Sequence, residues 1–231
     1  MKHTLFLFDL DDTLLDFKTS EKRSFERTLR DMGLAGDIAD IFDDYQVINT
    51  ELWRAFEQGR LSKDTIKVER FRRTFLAHQL DLDPELASHR YLESLPETVV
   101  LCDGAMQVCE QLAAIGEVGI ITNGVEAIQS RRINNSGLGA HISFVATSEA
   151  CGYAKPDSRF FEYTTQRAKS FSKDSTVIIG DRLDADILGG NQFGIESCWY
   201  NPGRHANDSS AKPTYEIDSL HQLMASLGGS A

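Results

Sequence analysis

Residues 5–13 read Leu5-Phe6-Leu7-Phe8-Asp9-Leu10-Asp11-Asp12-Thr13, so four large apolar side chains run directly into a group of carboxylates. Such an apolar run is typical of a short strand that is buried on both faces of a parallel sheet. If the extended conformation continues, the side chains of Asp9 and Asp11 point to the same side. Unit charges about 4 Å apart repel by about 4 kcal/mol at an effective dielectric constant of 20, so this pattern predicts a bound cation. Oxygen ligands on a tight turn favour Mg²⁺, while Asp12 alone also fits an acidic turn or a helix N-cap.

Four further apolar runs have the length and the β-branched or aromatic bias of buried strands. They cover residues 118–122, 144–147, 176–180 and 197–200. Segments with helical spacing of apolar residues lie between or before them, at residues 105–115, 126–135, 157–168 and 185–192. Strands that alternate with helices predict an α/β fold with a doubly wound, Rossmann-like parallel sheet.

The connection between the first two predicted strands is far longer than one crossover helix needs. It is predicted to hold four helices, at residues 20–32, 38–54, 62–78 and 84–95, which are separated by Gly33, Gly36, Gly59 and the Leu82-Asp83-Pro84 break. That break resembles an N-cap followed by proline at the first helical position. We therefore predict a core domain formed by residues 1–16 and 96–231, with an inserted helical domain at residues 17–95.

Two further motifs follow predicted strands and suit a phosphate group. In Thr122-Asn123-Gly124 the threonine hydroxyl and the backbone N–H groups of a helix start are able to hold phosphate oxygens, although the same residues are ordinary turn chemistry. Lys155 stands just before Pro156, where a helix is predicted to begin. A lone lysine is usually solvated, but here it would offset the carboxylates and bind a transferring phosphoryl group.

The fourth motif, Gly180-Asp181-Arg182-Leu183-Asp184-Ala185-Asp186, again follows an apolar strand. Asp181 is a candidate metal ligand. Asp186 is expected to orient a metal-bound water or to support Lys155. Asp184 is better explained as a charge that complements the dipole at a helix N-terminus.

The four motifs in this order resemble those of the haloacid dehalogenase superfamily of phosphotransferases. The resemblance implies a sheet in the order 5-4-1-2-3 and a helical cap between the first and second motifs. It also implies that Asp9 is the nucleophile that forms an aspartyl-phosphate and that Asp11 is the general acid and base. The presence of this second acid favours cleavage of phosphate esters over cleavage of carbon–halogen bonds.

By the same resemblance, Thr122, Asn123 and Lys155 bind the substrate phosphate. Mg²⁺ is held by Asp9, by the carbonyl oxygen of Asp11 and by Asp181, with Asp186 in support. Four carboxylates against one lysine leave a negative site that would repel a phosphate dianion without the metal. The sequence therefore predicts a Mg²⁺-dependent hydrolase.

Shorter stretches, at residues 44–49, 52–53, 198–201 and 219–223, resemble the bacterial pyrimidine 5′-nucleotidases of this superfamily. These enzymes dephosphorylate UMP, dUMP and dTMP, so a pyrimidine nucleoside monophosphate is the expected substrate. Aromatic side chains in the inserted domain could stack on a base, but core packing is the expectation for each of them: Phe42, Tyr45, Trp53, Phe56, Phe71 and Phe75. Arg182 and Arg204 are interpreted as surface residues.

Charge and composition narrow the other possibilities. With 24 basic and 35 acidic residues the net charge is −11, which argues against a nucleic-acid duplex as partner. No apolar run approaches the length of a membrane span or a signal peptide, and the four cysteines show no metal-ligand spacing, so we expect a cytoplasmic protein with reduced thiols. Residues 207–212 are expected to form an exposed loop, and residues 228–231 to fray.

Three alternatives stay open beside the nucleotidase. The first is a phosphatase for another small ester, such as a sugar phosphate or phosphoglycolate. The second is a phospho-accepting signalling domain, which would need about half this length and no inserted domain. The third is a catalytically inactive binding protein, which is disfavoured because no motif residue is missing.

Overall fold

A computed structural model describes residues 2–228 and places β1 (Leu5–Phe8) inside a sheet, with all four side chains buried. The other strands are β2 (Glu117–Thr122), β3 (Phe144–Thr147), β4 (Thr176–Gly180), β5 (Glu196–Tyr200) and β6 (Tyr215–Ile217). They form one parallel sheet in the order β3-β2-β1-β4-β5-β6. The predicted doubly wound α/β fold is confirmed, and its first five strands have the implied order.

The sixth strand was not predicted. β6 has three residues, of which only Ile217 is buried, so it is too short to carry a periodic signal. It forms because residues 198–200 of β5 offer a free edge for pairing.

Two compact units make up the chain: one comprises the chain up to Phe17 together with everything from Val100 onward, and the other is Lys18–Val99. The helices of the second unit are α1 (Phe17–Asp31), which starts at the boundary, α2 (Ala39–Glu57), α3 (Lys63–Ala77) and α4 (Pro84–Ser94). Asp83 caps α4, since its carboxylate accepts hydrogen bonds from the N–H groups of Glu85 and Leu86, at 2.9 and 3.2 Å. This confirms the predicted Asp-Pro helix start.

The chain leaves and re-enters the sheet unit through two neighbouring segments. The N–H of Asp16 donates to the carbonyl oxygen of Val100, and the N–H of Cys102 donates to that of Leu14, both at 2.9 Å. Leu15 and Leu101 thus pair as an antiparallel bridge. The insertion therefore begins and ends at adjacent points of the sheet unit.

The sheet unit contains α5 (Ala105–Ala113), α6 (Glu126–Ser136), α7 (Ser148–Cys151), α8 (Ser158–Thr165), α9 (Leu188–Phe193) and α10 (Leu223–Gly228). Alternate residues of β1, Leu5 and Leu7, pack in one buried cluster with Phe160 and Phe161 of α8. This alternation is what a strand covered on both faces requires. The predicted helix at 185–192 instead comprises one wide turn of π-helix, Leu183–Ile187, that leads into α9.

The loop at residues 207–212 is exposed as expected except for Ala211, which packs with Ile187 and Trp199. Of residues 228–231, for which fraying is expected, Gly228 is the last residue of the C-terminal helix Leu223–Gly228, and residues 229–231 lie outside the described part of the chain. Across residues 2–228, every helix is too short or too polar to cross a bilayer.

The four cysteines are all free thiols. Burial raises the pKa of Cys109 and of Cys198 to about 12, so both thiols stay protonated near neutral pH. They are packing residues rather than nucleophiles.

Candidate active site

Asp9 lies at the carboxyl end of β1, where the sheet holds its backbone. Its N–H donates to the carbonyl oxygen of Ile179 on β4, at 2.9 Å, and the residue is only 8% exposed. The hydroxyl of Thr13 lies 3.3 Å from Asp9 Oδ2 and 3.4 Å from Asp181 Oδ1. It also accepts the N–H of Asp181 at 3.1 Å, so Thr13 links the ends of the first and fourth strands.

A tight turn follows Asp9. Asp12 has a φ of 61° in the left-handed region, and its N–H donates to the carbonyl oxygen of Leu15 at 2.7 Å. Its carboxylate accepts the N–H of Phe17, the first residue of α1, at 3.0 Å. Asp12 is therefore the acidic turn and helix-start residue that the sequence allowed, and its carboxylate serves the backbone.

Lys155 supplies the positive charge of the site and is fully engaged. Its ammonium group donates to Asp9 Oδ1 at 2.6 Å, to Asp186 Oδ1 at 2.7 Å and to the carbonyl oxygen of Ile121 at 2.9 Å. The side chain is 2% exposed, so all three donors are used inside the protein. The lysine thereby brings the first and fourth motifs together.

The end of β2 fixes the position of Lys155. The side-chain amide of Asn123 donates to the Lys155 carbonyl oxygen at 3.1 Å and accepts its N–H at 2.9 Å. The side chain of Asn123 thus clamps the backbone of the lysine loop, and a role of this residue in phosphate binding stays a prediction. Thr122 is buried, and its hydroxyl oxygen accepts the N–H of Gly124 at 3.0 Å.

Three carboxylates converge on this edge of the sheet. One oxygen from each of Asp9, Asp181 and Asp186 lies within 4.8 Å of the others, close enough to share one cation. Asp186 is fully buried, and its other oxygen accepts the N–H of Arg182 at 3.1 Å. A Cβ at Gly180 would lie 2.4 Å from the Asp186 carboxyl carbon, which explains the glycine of the Gly-Asp motif.

Burial and mutual repulsion shift the titration of these groups. Burial raises the pKa of Asp9 to about 7; Lys155 opposes this effect, while Asp186 and Asp11 add to it. Burial, followed by the charges of Asp9 and Asp186, raises the pKa of Asp181 well above its ordinary value. Although burial lowers the pKa of Lys155, the two carboxylates that it contacts raise it above the usual range. Three ionised carboxylates would carry more negative charge than one lysine neutralises, so a bound cation would favour their charged forms.

Asp11 has two partners on α6 that its sequence motif does not indicate. Arg132 Nη1 donates to Asp11 Oδ1 at 2.5 Å, and Gln129 Nε2 donates to Asp11 Oδ2 at 2.7 Å. Arg132 offsets the charge of Asp11, so the charge balance predicted for the cation site is corrected to three carboxylates against Lys155. Gln129, Arg132 and Ile133 form an i, i+3, i+4 set that the structure buries on one face of α6, but only Ile133 is apolar, so the sequence pattern did not indicate burial of the other two.

The remaining predicted residues lie as expected. Arg182 pairs with Asp184 through two hydrogen bonds of 3.0 and 2.8 Å, and Arg204 pairs with Asp218 at 2.7 Å on the surface. In the helical unit four of the named aromatic side chains are buried: Phe42, Tyr45, Phe71 and Phe75. Trp53 and Phe56 are half-buried, with their rings edge to face at 5.7 Å. Core packing is thus confirmed for four of the six.

Comparisons with known proteins give a consistent assignment. A family model of haloacid dehalogenase-like hydrolases matches residues 3–194. The pyrimidine 5′-nucleotidase PynA of Streptococcus pneumoniae (strain ATCC BAA-255 / R6) is 37% identical over 97% of this chain and 94% of its own length. The pyrimidine 5′-nucleotidase YjjG of Escherichia coli (strain K12) is 29% identical over 96% of this chain and 97% of its own length.

The third relative is YfnB of Bacillus subtilis (strain 168), a protein named as an HAD hydrolase. It is 36% identical over 96% of this chain and 94% of its own length. A crystal structure of YfnB bound to magnesium matches with a TM-score of 0.90 at 35% identity and covers 97% of this chain and 98% of that chain. The resemblance read from the four motifs is confirmed: the chain belongs to the haloacid dehalogenase-like hydrolase family.

Proposed function

We propose that this chain is a Mg²⁺-dependent phosphatase that hydrolyses pyrimidine nucleoside 5′-monophosphates through an aspartyl-phosphate on Asp9. The observation that carries the proposal is the buried Lys155 ammonium group, held between Asp9 and Asp186, with Asp181 completing the carboxylate cluster. A nucleophilic carboxylate, a phosphate-binding cation and a cation site thus occupy one sheet edge. We place the reaction in the cytoplasm, as expected from the sequence.

In the first step a carboxylate oxygen of Asp9 attacks phosphorus, and the bond between phosphorus and the ester oxygen breaks. The electron pair leaves with the nucleoside oxygen, and Asp11 supplies a proton to it. The hydroxyl of Thr122 binds a phosphoryl oxygen. Lys155 does so by exchanging its hydrogen bond to Asp9 for one to a phosphoryl oxygen as Asp9 attacks, and it stabilises the charge that these oxygens carry in the transition state. The products of this step are the free nucleoside and the aspartyl-phosphate.

In the second step a water molecule attacks phosphorus from the side opposite the Asp9 oxygen, and Asp11 removes a proton from this water. The bond from phosphorus to Asp9 breaks, which regenerates the carboxylate and releases inorganic phosphate. Asp11 therefore acts once as an acid and once as a base, and each cycle returns it to its starting form.

The residues present fit a magnesium ion. Mg²⁺ prefers oxygen ligands and is held by one or two carboxylates together with phosphate oxygens and water. Asp9 and Asp181, with the carbonyl oxygen of Asp11, would hold it, and Asp186 would support the site. When bound, the ion supplies the positive charge that lets the carboxylate cluster accept a phosphate dianion.

The substrate assignment rests on the two pyrimidine 5′-nucleotidases that match nearly the whole chain. The alternative is a phosphatase for another small ester, a sugar phosphate or phosphoglycolate, which would use the same four motifs. Both candidates share one chemistry and differ only in the leaving group.

A monophosphate panel tests the proposal. UMP, dUMP and dTMP are compared with AMP, a hexose phosphate and phosphoglycolate, each with Mg²⁺ and with EDTA, by release of inorganic phosphate. We expect the pyrimidine nucleotides to lead by at least about tenfold in kcat/KM and all activity to need Mg²⁺. The Asp9→Asn variant is the control for background hydrolysis. Full activity in EDTA would reject the site, whereas a leading sugar phosphate or phosphoglycolate would reject the nucleotidase and keep the phosphatase.

A further inference from the structure

Arg132 is a buried arginine on α6 that faces the predicted acid and base of the reaction. The residue is 1% exposed, and its Nη1 donates to Asp11 Oδ1 at 2.5 Å and to Gln129 Oε1 at 2.7 Å. Its guanidinium carbon lies 5.1 Å from the centre of the Phe17 ring. The side chain is thus fixed by one aromatic face and two oxygen acceptors.

Gln129 lies one helical turn earlier on the same face and connects this arginine to the rest of the site. Its Nε2 donates to Asp11 Oδ2 at 2.7 Å and to the Thr122 hydroxyl oxygen at 3.0 Å. A Cβ at Gly124 would lie 2.3 Å from Gln129 Nε2, so the glycine leaves the room that this side chain occupies. Both carboxylate oxygens of Asp11 are therefore held by donors from α6.

The arrangement is costly for stability. Among the described residues, Arg132 Nε and Nη2 are buried and have no hydrogen-bond partner. A buried donor without a partner destabilises the folded state, and an apolar side chain of similar volume would avoid this cost. Because packing alone favours an apolar residue here, the contact with Asp11 is the property that the arginine provides.

We propose that Arg132 is a positioning residue for Asp11 and that Gln129 assists it. Together they hold the Asp11 carboxylate in one orientation relative to Thr122, which binds the substrate phosphate in the mechanism above. Arg132 acts through Asp11 and makes no contact with the reacting phosphate. This inference rests on the proposed function, since it assumes the acid and base role of Asp11.

A double-mutant cycle on Asp11 and Arg132 tests the inference. Arg132→Lys keeps the charge but loses the rigid planar group that places one nitrogen against both Asp11 Oδ1 and Gln129 Oε1. We expect kcat on UMP to fall about 10–100-fold with KM changed less than about threefold. In the Asp11→Asn background the same change should alter kcat less than about twofold, because its target is already gone. Arg131→Lys, an exposed neighbour on α6, is the matched control and should match the unaltered protein.

Several outcomes would overturn the inference. An unchanged kcat in Arg132→Lys, or an equal drop in both backgrounds, would show that the arginine does not act through Asp11. Thermal unfolding checks that each variant folds. If the lysine variant does not fold, Arg132→Met replaces it in the same double-mutant cycle. If kcat is unchanged in Asp11→Asn, the acid and base role of Asp11 is rejected, and this inference with it. If kcat falls in Asp11→Asn but is unchanged in Arg132→Lys, only the inference about Arg132 is rejected.

Discussion

Without bound metal, the free energy of unfolding of this protein should fall as the pH rises from acidic to neutral. Burial and neighbouring charges raise the pKa of Asp9 from its ordinary value of 3.8 to about 7. The folded protein without metal therefore keeps a proton on Asp9 after the unfolded chain has lost it, so the native state binds more protons between these two values. The stabilisation of the folded state by the proton on Asp9 is complete below about pH 4 and is lost as pH rises through about 7.

The size of the effect follows from the shift. At 1.36 kcal/mol for each pH unit, the raised pKa of Asp9 corresponds to about 4 kcal/mol in total, of which about 2 kcal/mol is lost between pH 5.5 and 7.5. For a chain of 150–250 residues this corresponds to a fall in Tm of about 4–8 °C. Asp181, whose pKa is also raised, acts in the same direction.

Thermal unfolding in EDTA and in excess Mg²⁺, at pH 5.5, 6.5, 7.5 and 8.5, measures this dependence. Because the metal binds the deprotonated carboxylates, the rise in Tm on adding Mg²⁺ should be larger at pH 7.5 than at pH 5.5. The Asp9→Asn variant should show a weaker pH dependence in EDTA. A Tm in EDTA that rises from pH 5.5 to 7.5, or a Mg²⁺ effect independent of pH, would refute the reasoning.

Two substitutions give further expectations. Asp11→Asn should lower kcat on UMP by about 10²–10⁴-fold, because the leaving oxygen and the attacking water lose their proton donor and acceptor; phosphate release measures this, and an unchanged rate would remove Asp11 from the mechanism. Gly180→Ala should lower kcat by about 10²-fold and reduce the Mg²⁺-dependent rise in Tm, since the added methyl group would displace the Asp186 carboxylate. Gly139→Ala, where the nearest atom lies 3.4 Å away, is the matched control, and equal effects of the two changes would contradict the steric argument.

The parts of the fold that the sequence predicted well are those with a local signal. β1 consists of four buried apolar residues followed by Asp9, and β4 is likewise a buried apolar strand followed by Asp181. The sequence therefore indicated both strands and the carboxylates that follow them. Parallel strands place their carboxyl ends at one edge of the sheet, which is why the motifs could be expected to meet. β6 could not be predicted because its pairing with β5, and not its own pattern, creates it.

The site residues that were missed depend on contacts between distant parts of the chain. Arg132 and Gln129 lie 121 and 118 positions from Asp11, and in sequence they read as the polar face of a helix. The side-chain amide of Asn123 hydrogen-bonds to the backbone of Lys155, a partner 32 positions away that its own sequence motif does not indicate. Residue type and spacing identified the chemistry, whereas the orientation of each side chain required the tertiary structure.

The bridge between Leu15 and Leu101 bears on how the inserted segment can be replaced during evolution. Because the entry and exit of the Lys18–Val99 segment are neighbours in an antiparallel pair, any segment whose own ends lie side by side can replace it without altering the sheet register. A short hairpin turn would close the same gap. The chemistry of the sheet edge and the identity of the inserted segment can therefore diversify independently.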